Sequence, residues 1–254
     1  FSTNFPSTPV VFTTVNTFNG PDTVTTRNKD VSGSGFRVGM QEQEGKWQSH
    51  TTESIGYIAW EIVSNSDYQV GRTGNSIGDD MSQVNFDFGG YQNIHVDEET
   101  SADSEVNHTS EDVGFLAMNL NPIFFIADMQ TTDGSDTANL RYGGSSSQNS
   151  TKTTLEMGTT EIDENWTTVN LGNTYSDPVV VAKPAQFNGS QPATIRIRNV
   201  TSDSFQVRIH EWGYLDGSHA TETISYMVTN SGHHTLDGGI ELDAGKVNTS
   251  ATGS

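Results

Sequence analysis

No cysteine occurs among the 254 residues. The chain therefore has no disulfide, no thiolate nucleophile and no thiolate metal site. Positive charge is scarce: 12 Lys and Arg stand against 32 Asp and Glu, a formal net charge of −20. Such a surface repels phosphate backbones and anionic lipid, so nucleic acid is not an expected partner. Apolar residues make up only 32%, which favours several thin two-layer cores over one thick core. No apolar run is long enough to cross a bilayer, and no membrane insertion is expected. No stretch combines helical periodicity with caps. No HExxH, phosphate loop or Ser-centred nucleophile elbow occurs, and no enzyme is expected. The chain starts at Phe1 with no signal peptide, which reads as a processed or excised piece of something longer.

What is abundant is Gly, Ser, Thr, Asn and Asp, the residues of short strands and many turns. A secreted chain without disulfides fits bacteria or archaea better than animals. The acidic, Lys-poor surface fits seawater or brine, where salt screens self-repulsion. An acidic surface that is simply solvated explains the composition equally well.

An internal repeat is the main signal. Residues 9–61 open PVVFTTVNTFNG and end HTTESIGYIAWE; residues 178–230 open PVVVAKPAQFNG and end HATETISYMVTN. Pro9 matches Pro178, Asn19-Gly20 matches Asn188-Gly189, Glu42 matches Glu211, His50 matches His219 and Glu53 matches Glu222. A third copy lies between them with its halves in the opposite order. HTSEDVGFLAMN at 108–119 matches the module's end, and NPIFFIADMQTTDGSDTANLRY at 121–142 matches its beginning. Either this copy is circularly permuted or it completes its sandwich with strands shared between neighbours. The expected segments are one module over 1–65, a divergent or permuted module with shared strands over 66–165, and a module with a C-terminal tail over 166–254. A further strand precedes each module: Trp166 to Leu171 in one copy and MSQVNF at 81–86 in another. Phe1 falls close to the position of Leu171, so both chain ends look cut from a tandem array.

The sets Ile55/Tyr57/Ala59, Val113/Phe115/Ala117 and Ile224/Tyr226/Val228 alternate with period two and are apolar in every copy. They are expected to face sandwich cores. The opposite face carries a small residue and then a large apolar one: Gly56 and Ile58, Gly114 and Leu116, Ser225 and Met227. That pattern suggests contact with another module or subunit, although a partly exposed apolar residue is the equal alternative. The fold class is all-β, as tandem antiparallel β-sandwich modules.

Pro9-Val10-Val11, Arg27, Gly35-Phe36-Arg37-Val38 and Ile58-Ala59-Trp60 form a series that resembles the H-type lectin domain. Pro178-Val179-Val180, Arg198, Phe205-Gln206-Val207 and Tyr226-Met227-Val228 carry it in the second clear copy. The resemblance implies a six-stranded antiparallel sandwich that often trimerises and binds galactose or N-acetylgalactosamine near the subunit junction. It further implies that Arg27, Arg198 and Arg141, with His50, His108 and His219, contact sugar. The family's neighbouring Trp is not in register; Trp47 and Trp212 are only nearby.

The residues alone give a constellation of Arg27, Glu42, His50 and Glu53, repeated as Arg198, Glu211, His219 and Glu222. Arg and carboxylate groups can hold adjacent hydroxyls by charge-assisted hydrogen bonds. The same groups can instead pair across the sheet and serve only structure. Repetition argues against a glycosidase, which needs one special carboxylate pair. No cofactor is expected; calcium is the one ion suggested, at Asp133 and Asp136, without EF-hand spacing. Two functions stay open. One is a secreted carbohydrate-binding protein with glycans as partners, an adhesin or polysaccharide-attachment module. The other is a structural subunit of an extracellular fibre or surface assembly that self-associates as a trimer or polymer.

Overall fold

The computed structural model describes residues 1–43, 50–101, 108–121, 123–130, 138–143, 150–151, 155–184 and 188–252. Every helix or strand assigned among them is a strand. The first four are β1 (Val10–Val15), β2 (Val24–Ser32), β3 (Gly35–Glu42) and β4 (Glu53–Trp60). The middle region gives β5 (Val63–Ser64), β6 (Tyr68–Ile77), β7 (Ser82–Asn85), β8 (Tyr91–Glu98), β9 (Glu111–Met118), β10 (Phe124–Met129) and β11 (Ala138–Gly143). Then follow β12 (Ser150–Thr151), β13 (Leu155–Ile162), β14 (Thr167–Asn170), β15 (Pro178–Pro184), β16 (Ala193–Arg198), β17 (Ser204–Glu211) and β18 (Glu222–Asn230). The last two are β19 (Gly232–Leu236) and β20 (Ile240–Thr249).

These strands build three antiparallel sandwiches. The third is the simplest: sheet β12-β13-β18-β15 covers sheet β14-β17-β16. The second has the same layout in another chain order, with β10-β9-β6-β5 over β11-β8-β7. In it β10 and β11 do the work of β15 and β16 but follow β8 and β9 instead of preceding them. Neither expected alternative describes the middle copy. It borrows no strands, since residues 63–143 supply all its described ones, and it is no plain rotation of the third sandwich: the hairpins equivalent to β15–β16 and β17–β18 have exchanged order behind β6 and β7. Strand sharing occurs in the first sandwich instead. There β20 pairs with β4 from Leu242↔Trp60 to Thr249↔Glu53, giving the sheet β1-β4-β20-β19 over β2-β3.

The expected segments 1–65, 66–165 and 166–254 are therefore redrawn. Residues 155–162 belong to the third sandwich through β18, and the C-terminal tail is two strands of the first. Hydrogen bonding between strands distant in sequence decides this, and no local pattern reports it.

The period-two sets face where alternation places them. Phe115 lies in the second sandwich core beside Phe125 and Phe86, and Tyr226 lies in the third against Phe205. Tyr57, half-buried, packs with Phe36 and Phe1 in the first.

The opposite faces of the three four-stranded sheets meet one another. Val10, Phe12 and Ile58 join Leu116, Phe124 and Ile126, and Val179, Val181 and Met227, in one core between all three sandwiches. Ile58, Leu116 and Met227 are fully buried there. Each such side chain contributes roughly 1.5–3 kcal/mol on burial, so this shared core is a main source of cohesion. The small residues beside them allow the approach. A Cβ on Gly56 would collide with Asn16 and stand 2.8 Å from the Val180 carbonyl oxygen of the third sandwich. A Cβ on Gly114 would collide with Val10 of the first. The small-then-large pattern is thus the signature of an inter-sandwich contact.

Candidate functional site at the sandwich junctions

Glu53, Glu111 and Glu222 open the strands β4, β9 and β18, each three residues after a His. Arg27, Arg141 and Arg196 hold one shared register position: they face Gly39 of β3, His95 of β8 and Arg208 of β17. Arg196, not Arg198, is therefore the counterpart of Arg27. Arg198 lies two residues on, opposite Gln206. Both side chains point to one face of β16, so alternation cannot separate them.

Each Arg reaches a Glu of a different sandwich. Arg196 of the third lies 2.9 Å from Glu53 of the first, Arg27 of the first 3.9 Å from Glu111 of the second, and Arg141 of the second 3.8 Å from Glu222 of the third. The three contacts close a ring. The expected structural pairs, Arg27 with Glu42 and Arg198 with Glu211, are not the ones formed. Arg27 instead donates from Nε to Gln41 beside it, and Arg198 donates to Gln206 at 2.8 Å.

The carboxylates are held by backbone as well. Glu53 accepts from the Asn19 and Gly20 N–H groups at 3.0 Å each, and Glu222 from those of Asn188 and Gly189 at 2.9 and 2.7 Å. Glycine is required in both turns: a Cβ would stand 2.6 Å from the His50 ring at Gly20 and 2.5 Å from the His219 ring at Gly189.

The imidazoles complete the site. His219 lies 2.9 Å from Glu211 and 3.4 Å from Glu222, and His108 lies 3.8 Å from Glu98 and 3.1 Å from Glu111. His50 is 4.0 Å from Glu53. Burial opposes charge on His219, but hydrogen bonds to Glu222 and Glu211 outweigh it and raise its pKa. Glu222 is driven up by burial and more strongly down by His219, the two backbone amides and Arg141, and its pKa falls. Burial pushes the Arg196 guanidinium down to about 10, with Glu53 opposing.

Every Arg, His and Glu of the ring is sheltered; Arg27, the most open, exposes 10% of its side chain. The charges face one another across junctions rather than solvent. A buried pair of this kind adds little net stability, but removing one partner strands the other and costs about 3–5 kcal/mol.

Arg198 lies elsewhere, in a cation–aromatic ladder absent from the repeat-based expectation. Its guanidinium sits 4.0 Å over Trp166; Arg208 lies 4.9 Å from Trp166 and 5.0 Å from Phe18; Arg196 stands 4.7 Å from Phe18. The ladder joins the first and third sandwiches beside a polar cleft of about 790 Å³ lined by Asp22, Glu42, Glu164, Arg208 and Trp212 among others. Burial and the neighbouring Arg208 and Arg196 push His210 down to about 3. Asp133 and Asp136 lie outside the described residues, as does Trp47. Among the described residues no group of three or more His, Cys, Asp or Glu is placed to hold a metal.

The fold and junctions define an all-β protein of three antiparallel sandwiches locked around a shared core. Over 88 residues the chain is 36% identical to halomucin of Haloquadratum walsbyi (strain DSM 16790 / HBSQ001). That stretch covers 32% of this chain and 1% of halomucin. No protein-family model matches the chain, and no solved structure does.

Proposed function

We propose that this chain is a non-enzymatic structural building block of an extracellular surface protein. The observation that carries the reading is the closed ring of buried Arg–Glu contacts, each joining two different sandwiches. The repeated constellation then serves assembly within the chain, its charged groups facing one another across buried junctions. Similarity to a stretch of a protein named as a mucin supports placement outside the cell. The acidic surface supports a salty medium.

The test is Arg196→Met, with Arg27→Met beside it, read by thermal unfolding and a glycan array. Arg196→Met is expected to destabilise by about 3–5 kcal/mol, since it strands a fully buried Glu53. Any glycan binding should be the same in parent and variant. Loss of galactose-type binding with unchanged stability would overturn the reading in favour of a lectin at the junctions.

Carbohydrate binding remains the second reading. It is supported by the resemblance to the H-type lectin domain and by the ladder of Trp166 and Arg198 beside the polar cleft. Trp166→Ala tests it on the same array, because the Arg–Glu ring does not use Trp166.

A further inference from the structure

The core shared by the three sandwiches ends in a cavity of about 580 Å³. That volume falls within the range of small-molecule sites, about 300–1,000 Å³. All three sandwiches wall it: Trp60 from the first, Leu116 and Met118 from the second, Leu155 and Met157 from the third. Its floor is buried and apolar, with Trp60, Leu116, Leu155 and Met157 each exposing 5% or less. Half-buried Val63, Tyr68 and Leu236 stand around that floor, and exposed Asp67 and Asp237 stand at the rim.

The rim is placed by two strand turns. Asp67 lies between β5 and β6, where the Asn65 side-chain oxygen accepts from the Asp67 and Tyr68 N–H groups at 2.8 and 3.0 Å. Asp237 lies between β19 and β20, in a turn closed by the Gly239 N–H on the Leu236 carbonyl at 3.0 Å. Among the described residues, the lining contains no Lys, Arg or His to balance these carboxylates. The rim therefore opposes an anion and favours a cation.

A second observation lies in the floor. The Trp60 ring stands 6.3 Å from that of Tyr68, and its indole N–H is buried without a hydrogen-bond partner. An indole nitrogen only donates, and buried donors are nearly always paired. The group this site lacks is an acceptor, such as an oxygen.

We infer that the cavity is a binding site for a small amphiphilic amine, an apolar body that carries an ether or hydroxyl oxygen and ends in an ammonium group. The apolar body rests on Leu116 and Met157, the oxygen accepts from Trp60, and the ammonium group reaches the carboxylates of the rim. The inference goes beyond the building-block reading and does not depend on it, because the Arg–Glu ring uses none of these residues.

The experiment titrates the intact chain with phenoxybutylamine, and with phenoxybutanol and phenoxybutanoate as its neutral and anionic counterparts. The methyl signals of the six methionines are followed by NMR. Salt at about 0.15 M screens the diffuse pull of the net charge of −20 beyond about 8 Å. The Met118 and Met157 signals should move saturably with one equivalent of amine, while Met40 and Met81, which lie elsewhere, stay still. The amine should bind about tenfold more tightly than the alcohol, and the anion not measurably. Asp67→Asn with Asp237→Asn should cancel the advantage of the amine and leave the alcohol unchanged. Trp60→Phe should weaken both. Unmoved Met118 and Met157 signals with all three compounds would overturn the site. A shift that never saturates and spreads over all six methionines would overturn it too, in favour of counterion attraction. Equal binding of amine and anion would overturn the class of ligand.

Discussion

His219 sits between two carboxylates, whereas His210 is buried beside two guanidiniums, and the two titrate in opposite senses. The folded pKa of His219 is raised. Its contribution is complete below about pH 6.5, the ordinary imidazole value, and is lost as pH rises through the folded value. His210, held at about 3, stays neutral in the folded chain while the unfolded imidazole takes up a proton below about pH 6.5. Stability therefore falls as pH drops from there toward 3. His95, lowered first by burial, adds to the acid limb. Glu222, with its depressed pKa, adds to it further as pH falls through that value. The two limbs meet near pH 6.5, where we expect the greatest resistance to urea. His219→Gln should flatten the alkaline limb and His210→Gln the acid one. Urea midpoints measured from pH 4 to 9 decide it, and a parent maximum above pH 8 contradicts the assignment.

At the scale of the strand, Tyr226 and Tyr57 occupy equivalent positions in unequal surroundings. Tyr226 is fully enclosed, and Tyr226→Ala should cost roughly 3–5 kcal/mol. Tyr57 is only half-buried, so Tyr57→Ala should cost clearly less, measured by denaturant unfolding of both variants. Alternation made this legible in the sequence, because a period of two fixes which side chains share a face. The small-then-large pattern at Gly56-Ile58 and Gly114-Leu116 suggested contact with another module only as one of two equal readings; the buried core between the sandwiches decides for it. Other features were not legible. The partner of β20 is set by hydrogen bonds to β4, far away along the chain. The exchange of Arg198 for Arg196 arose because both residues of Ile-Arg-Ile-Arg point the same way. Only the register anchored at Phe36 and Phe205 separates them. The ladder of Phe18, Trp166 and Arg208 escaped because it occurs at one junction and leaves no trace in a repeat. Glu111 was within reach, since His108 precedes it by the same spacing as in the other two copies.

The whole molecule binds three sandwiches that sequence repetition alone would suggest are independent. In a simple array each module would own its core, and the modules would melt separately. Here the shared core takes Phe12, Ile126 and Val181 from three different sandwiches, and the Arg–Glu ring ties each to the next. The first sandwich further depends on β20 from the far end of the chain. Opening one sandwich would expose the axial faces of the other two, including Leu116 and Met227, both fully buried. At roughly 1.5–3 kcal/mol for each such side chain, that penalty exceeds what a separated sandwich of this size could bear within an ordinary stability of about 5–15 kcal/mol. The chain should therefore unfold in a single transition, with calorimetric and van't Hoff enthalpies equal. Added salt should move that one transition upward by screening the net charge of −20, without splitting it. Calorimetry across a range of sodium chloride concentrations tests both points. Two or three resolved transitions at any salt concentration would show that the shared core does not couple the sandwiches.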